Sequence, residues 1–153
     1  MANVFQVTKG GLFDDKEIYT ASGSIYPGRL IKYASGSTVT FCGSGDVPMG
    51  FAYGLRSSVY TPTSNEFANG EACSFVWGMG TCLASSDLFM GATLATANQT
   101  VYAGDNGQMT TTAGSNKKVG VCEAVDVRIT ATGGTGGTQS LSRIRFDINP
   151  YGT

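Results

Sequence analysis

The residues able to do chemistry in this chain are few, and one type is missing. Among 153 residues there is no histidine; the acid–base stock is eleven Asp and Glu, ten Lys and Arg, and four cysteines. Histidine has the side-chain pKa nearest neutrality and is the commonest general base and a frequent metal ligand. Ser-His-Asp and Cys-His sites are therefore excluded by composition, and no motif supports a serine–lysine pair. A pair of carboxylates is what remains, as in glycoside cleavage. Most carboxylates fall in turn-like stretches or on outward strand positions. Glu123 differs because it interrupts an apolar series. A carboxylate removed from water needs a partner, and an arginine can supply it, so Glu123 reads as a structural ion pair or a barrel-mouth residue.

The cysteines at 42, 73, 82 and 122 stand 31, 9 and 40 residues apart, without the paired short spacings of zinc ribbons and fingers. Each sits within or beside a strand-like run, as buried free thiols do. Gly43-Ser-Gly45 and Gly78-Met-Gly80 lack the third glycine and the following helix of a phosphate-binding loop. Asp105-Asn-Gly107 reads as a turn, without the ligand set of a calcium loop. No cofactor and no metal are expected, and the chain is read as a non-enzyme.

The remaining composition narrows the partners. The net charge is −1 and the cations are scattered, whereas nucleic-acid binding rests on a basic face. Charged residues are 14% of the chain, against about 25% in an average soluble domain. Either much of the surface is covered by something else, or it is a neutral surface of Ser and Thr. No run approaches the ~18 apolar residues of a membrane span. The start, MANVFQVTKGG, lacks the pattern of a signal peptide. Synthesis in a cytoplasm, with neither nucleic acid nor membrane as partner, is the expectation.

The elements that must position these residues are strands. Met49, Phe51, Tyr53 and Leu55 alternate with Gly50, Ala52 and Gly54, so one face is expected to fill a core and the other to admit a neighbouring backbone. A second strand is predicted over 119–129, with Val119, Val121, Val125, Val127 and Ile129 on one face. A third covers 141–148, with Ser142, Ile144, Phe146 and Ile148 inward and Arg143, Arg145 and Asp147 outward. Further strands are predicted at 28–33, 38–42, 71–77, 81–84 and 100–103, separated by turn signals such as Asn69-Gly70. Trp77 alternates with Phe75 and Cys73, which reads as core. The best helical stretch, 86–94, is weakened by Gly91 and Thr93 to about a single turn. Many short strands with tight turns indicate an all-β fold, a small β-barrel or a jelly-roll-like sandwich.

Two segments stand apart. Residues 1–24 show isolated apolar residues without sustained alternation and are expected to form an extended N-terminal arm, with 25–153 as a single β domain. Such an arm must lie on this domain, on a sister subunit or on another protein to satisfy its backbone. Residues 131–140, ATGGTGGTQS, are expected to be a mobile glycine-rich loop inside a hairpin.

The order of elements over 28–148 resembles the glycine-rich capsid decoration, or cement, proteins of tailed bacteriophages. The resemblance is carried by the glycine-opened strand at 28–33, PMGFA at 48–52, NGEACSFVWGMG at 69–80, LFMGATL at 88–94, DNGQMT at 105–110 and VGVCEAVD at 119–126. It rests on pattern and order and leaves the first 24 residues unexplained. The resemblance implies a protein on the outside of an icosahedral shell, bridging major capsid subunits and often forming dimers or trimers, with no catalytic residues to carry over. Its partners are then the major capsid protein and copies of itself. The contact residues expected are Phe5, Leu12, Phe13 and Asp14 on the arm and Gly133, Gly134, Gly136 and Gly137 in the loop. An arm anchored on a neighbour implies that its removal abolishes binding and leaves the fold intact. A tail or fibre accessory protein and a carbohydrate-binding β module share the same β composition and remain alternatives.

Overall fold

A computed structural model describes residues 3–14, 19–53, 59–60, 67–132 and 135–149; at residues 3, 14, 59–60, 129–132 and 135–137 only the backbone is described. Eleven strands follow one another: β1 (Asn3–Asp14), β2 (Thr20–Ala21), β3 (Leu30–Ser35), β4 (Thr38–Phe41), β5 (Gly50–Ala52), β6 (Val59–Tyr60), β7 (Phe75–Ala84), β8 (Thr100–Ala103), β9 (Met109–Thr110), β10 (Lys118–Thr132) and β11 (Thr135–Ile148). Among the described residues there is no α-helix, only three short 3-10 turns at Ser86–Leu88, Met90–Ala92 and Asp105–Gly107. The helical stretch suggested by 86–94 is broken into two of these turns at Phe89, whose backbone is extended, and Gly91, at φ 67°, kinks the second.

The fold is all-β, as expected. The strands form one mixed sheet in the order β2-β4-β3-β5-β7-β11-β10-β8-β9. The order has two ends, so the sheet is not a closed barrel, and it is consistent with a β-sandwich or jelly-roll-like fold. β7 is the central strand. β1 runs antiparallel along one of its edges from Phe75 to Ala84, while β5 pairs with Phe75 and Val76 and β11 with residues 78–84. Since β1 holds one edge throughout, β5 and β11 share the other, and the sheet forks there.

Period-two alternation fills two large cores, one on each face of the sheet, and Val4, Leu83 and Leu141 form a small third cluster. Leu30, Phe51 and Val76 point into the larger core; their neighbours Ile31, Ala52 and Phe75 point into the second. The larger core is built on a ring chain in which Phe5 lies 4.9 Å from Phe51 and Phe51 lies 5.6 Å from Phe146, the latter edge-on, a favoured aromatic geometry. Trp77 packs against the second core beside Phe75 and Cys73, as the alternation suggests. The strand expected from Met49 shortens to β5. Met49 joins the second core while Phe51 joins the first, and residues 54 and 55 lie outside the described residues. The small face behaves as expected at Gly50, where a Cβ would collide with the Val76 carbonyl. The two strands expected at 71–77 and 81–84 are one strand, β7. Gly78 and Gly80 do not break it; at Gly80 a Cβ would meet the Phe146 ring and the Lys9 carbonyl, so the position admits only hydrogen.

Residues 3–14 of the expected arm are extended, as β1, and lie on this domain, the first of the three placements open to them. The alternation is hidden by two register shifts, between Val7 and Lys9 and between Gly10 and Leu12. Gly10 and Gly11 sit at φ 66° and 84°, backbone that side chains resist, which is how such bulges are made. Each shift turns the following residues to the other face, so no single period survives in the sequence.

The segment expected to be a mobile loop is corrected. Residues 131–132 and 135–140 are strand, with Thr132 paired to Thr135, Ala131 to Gly136 and Thr130 to Gly137. β10 and β11 thus form one long hairpin, with pairing as far as Thr132 and Thr135; Gly133 and Gly134 stand between them in the chain. Those two residues lie outside the described residues.

Candidate interaction surface

The long hairpin runs past the strands that flank it. β11 pairs with β7 only from Ser142 onward, and β10 pairs with β8 only through Val121. Beyond these points β10 and β11 pair only with each other. At roughly 3.4 Å per residue, the stretch 126–132 reaches roughly 20 Å from the body as a two-stranded ribbon. A bulge sets its facing. Cys122 opposes Ile144 and Ala124 opposes Arg143, so Glu123 is the extra residue. Past it, Val125 stands opposite the buried Ser142 and Val127 opposite Ser140, on the side that is core-facing at the root of the hairpin. The core does not extend that far, and Val127 is left 65% exposed. The single apolar face expected from Val119 to Ile129 is therefore corrected: Val119 is in the core, Val121 stands opposite Arg145 on the other side, and past the bulge Val125 and Val127 lie on an uncovered continuation of the core side.

The opposite side carries charge. β1, β7, β11 and β10 together line an open groove of about 710 Å³ whose ionic residues are Lys9, Glu123, Asp126, Arg143 and Arg145. Arg143 grips Asp126 through two bonds, Nε to Oδ2 at 2.9 Å and Nη2 to Oδ1 at 2.6 Å. This pairing holds the Asp126 carboxyl below the usual carboxylate range and pushes the Arg143 guanidinium up. Arg145 approaches Glu123 at 3.9 Å, the ion pair that the interrupted apolar series suggested, though on the surface. Met79, 72% exposed, borders the groove, and Leu12, opposite Trp77, shares its face.

The expected contact residues are scattered by the fold. Phe5 is fully buried in the larger core and is removed from the surface set. Leu12 and Phe13 are exposed, on opposite faces of β1, with the Phe13 ring 5.5 Å from Tyr53. The Asp14 backbone pairs with Phe75; its side chain lies outside what is described. Gly136 and Gly137 are paired strand residues, and Gly133 and Gly134 lie outside the described residues. The sequence reading missed Met79, Val47, Val125 and Val127 as exposed apolar residues. The signal available was Glu123, since a charge within an apolar series marks a change of facing.

The nucleophile chemistry is muted by burial. All four cysteines are free and buried. Burial pushes the Cys42 and Cys73 thiols up to about 12 and raises those of Cys82 and Cys122. A thiol is reactive as its thiolate, so these four act as small apolar groups. The two buried serines are satisfied: Ser85 Oγ accepts from Val4 N at 2.9 Å and donates to Asp87, and Ser142 Oγ donates to the Ala95 carbonyl at 2.6 Å. Compared with protein-family models, curated proteins and solved structures, the chain matches none.

Proposed function

We propose that this protein is a structural virion component that decorates an icosahedral phage capsid from outside and stabilises it by bridging major capsid subunits. The observation that carries the reading is the projecting β10–β11 ribbon, whose core-side face bears exposed Val125 at its root and exposed Val127 just beyond it. Uncovered apolar surface on a projecting ribbon suits contact with another protein. The sequence resemblance supplies the kind of partner, and its pMGfA and VGvCEAVD stretches lie in and beside β5 and β10, at the sheet fork and the ribbon root. Composition agrees: sparse charge, no histidine and buried thiols suit a protein that works by packing. A cement protein sums modest contacts over many symmetric sites, and a small β domain present in many copies fits that economy.

The reading is tested by adding purified protein to expanded shells that lack it and sedimenting the mixture. Saturable binding near one copy per one or two major capsid subunits supports it, with binding lost when Val125 and Val127 are both changed to Glu. Binding confined to purified tails, or to glycans with quenching of Trp77, overturns it in favour of a tail accessory or carbohydrate-binding role.

A further inference from the structure

The free edge of the ribbon carries information about what covers it. From 124 to 132 the outer edge of β10 has no strand beside it among the described residues. Cys122, just before the bulge, turns its N–H and C=O to that side, donating to Gln99 and accepting from Asn98, both at 2.8 Å. The bulge at Glu123 shifts the alternation by one, so residues 125, 127 and 129 aim their backbone groups at the free edge. An exposed row of this kind is a template for another strand. An isolated two-stranded ribbon is itself marginal in water, and three or more strands are needed for independent stability.

We propose that the occupant is a second copy of the same chain, with the two β10 strands pairing antiparallel about a two-fold axis at Val127. Charge complementarity singles out this register. With Val127 opposite Val127, Asp126 of each copy stands opposite Arg128 of the other, twice, and Val125 stands opposite Ile129. Opposite charges and apolar pairs across strands are stabilising and like charges are not. Shifting the axis to residue 126 sets Asp126 against Asp126; shifting it to 128 sets Arg128 against Arg128. Axes at 125 and 129 leave both charged residues opposite neutral ones.

Two-fold pairing is self-complementary, as an isologous interface must be. It turns two ribbons into a four-stranded sheet and places Val125 and Val127 of both copies on one face. Asp126 keeps its two bonds to Arg143 on the same chain and presents its remaining lone pairs to the second copy's Arg128. The pairing needs no shell, so it stands or falls apart from the capsid reading.

Purified protein at tens of micromolar should sediment at twice the 15.9 kDa chain mass. Arg128→Asp, which opposes two carboxylates, should weaken dimerisation at least tenfold with an unchanged circular dichroism spectrum. Directly opposed residues in a hydrogen-bonded antiparallel pair lie about 5.5 Å apart at Cα, within disulfide reach. Val127→Cys should therefore give a disulfide-linked dimer under mild oxidation. Val125→Cys should not, because its counterpart lies four rungs away, roughly 14 Å. A single-chain mass for the wild type, a trimer, or cross-linking of Val125→Cys as readily as Val127→Cys overturns the proposal.

Discussion

Replacing Phe5 by Ala tests whether the first strand belongs to the fold. Phe5 is fully buried, its ring lies 4.9 Å from Phe51 and 5.8 Å from Tyr53, and its backbone pairs with Ala84 of the central strand. Truncating a buried Phe costs about 3–5 kcal/mol from lost transfer energy and the cavity left behind. Each ring–ring interaction removed accounts for part of that, about 0.5–1.5 kcal/mol. A value near 4 kcal/mol is expected, because Phe5 touches two rings and sits between two strands that cannot easily collapse. In urea, with a slope of roughly 2 kcal/mol per molar for a domain of this size, the midpoint should fall by about 2 M. In a thermal scan the melting temperature should fall by roughly 8–16 °C. Leu12→Ala, on the same strand but exposed, should change stability by about 1 kcal/mol or less. The assay is urea unfolding followed by the fluorescence of the single tryptophan. A Phe5→Ala cost below about 1 kcal/mol would refute the reasoning, because it would mean that the first strand is detachable. For the same reason, deleting residues 3–14 should unfold the domain rather than leave it intact.

Three further outcomes follow from the packing and charges. The Lys32 ammonium, 2.7 Å from Asp46, and the Gly43 N–H hold the Asp46 carboxyl below the usual range. A depressed carboxyl stabilises the fold above its unfolded pKa and loses that contribution as pH falls through the folded value; carbon-detected NMR titration should show Asp46 ionised at pH values where an unfolded Asp is protonated, and Lys32→Ala should move it back. With Cys42 and Cys73 raised to about 12 and the other two thiols raised as well, a thiol reagent at pH 8 should label the native protein at fewer than one site and the unfolded protein at four; fast native labelling would contradict the buried placement. Gly80→Ala should cost about 1–3 kcal/mol by overpacking against Phe146, measurable by the same urea assay, and a neutral result would deny the close approach of β1 to β7.

The sequence made visible those parts of the fold where one alternation runs unbroken. In β11, Ser142, Ile144, Phe146 and Ile148 are all buried while Arg145 and Asp147 are exposed, as their order suggests. In β8 the expected and observed limits coincide. The reading failed where a bulge changes the facing. β1 has two register shifts, so its apolar residues looked isolated; β10 has one at Glu123 against β11 and one between Lys118 and Gly120 against β8, so its valines do not share one face: Val121 stands opposite the exposed Arg145 and Val125 opposite the buried Ser142. The glycine run at 133–137 reads as a loop because glycine is a weak strand former, yet pairing across the hairpin extends to Thr132 and Thr135. The surface was the least legible part. Alternation tells which residues share a face, but not where the body of the protein stops covering that face, and this decides that Val127 is exposed while Ile144 is buried. Asp126 and Arg143 lie 17 residues apart, and their pairing depends on the hairpin register that the bulge sets.

The most direct test of the structural-virion account is the copy number of this chain, measured by quantitative mass spectrometry, in purified particles from cells that express it. The account predicts about one copy for every one or two major capsid subunits. Absence from the particles, or only a handful of copies in each, would contradict it.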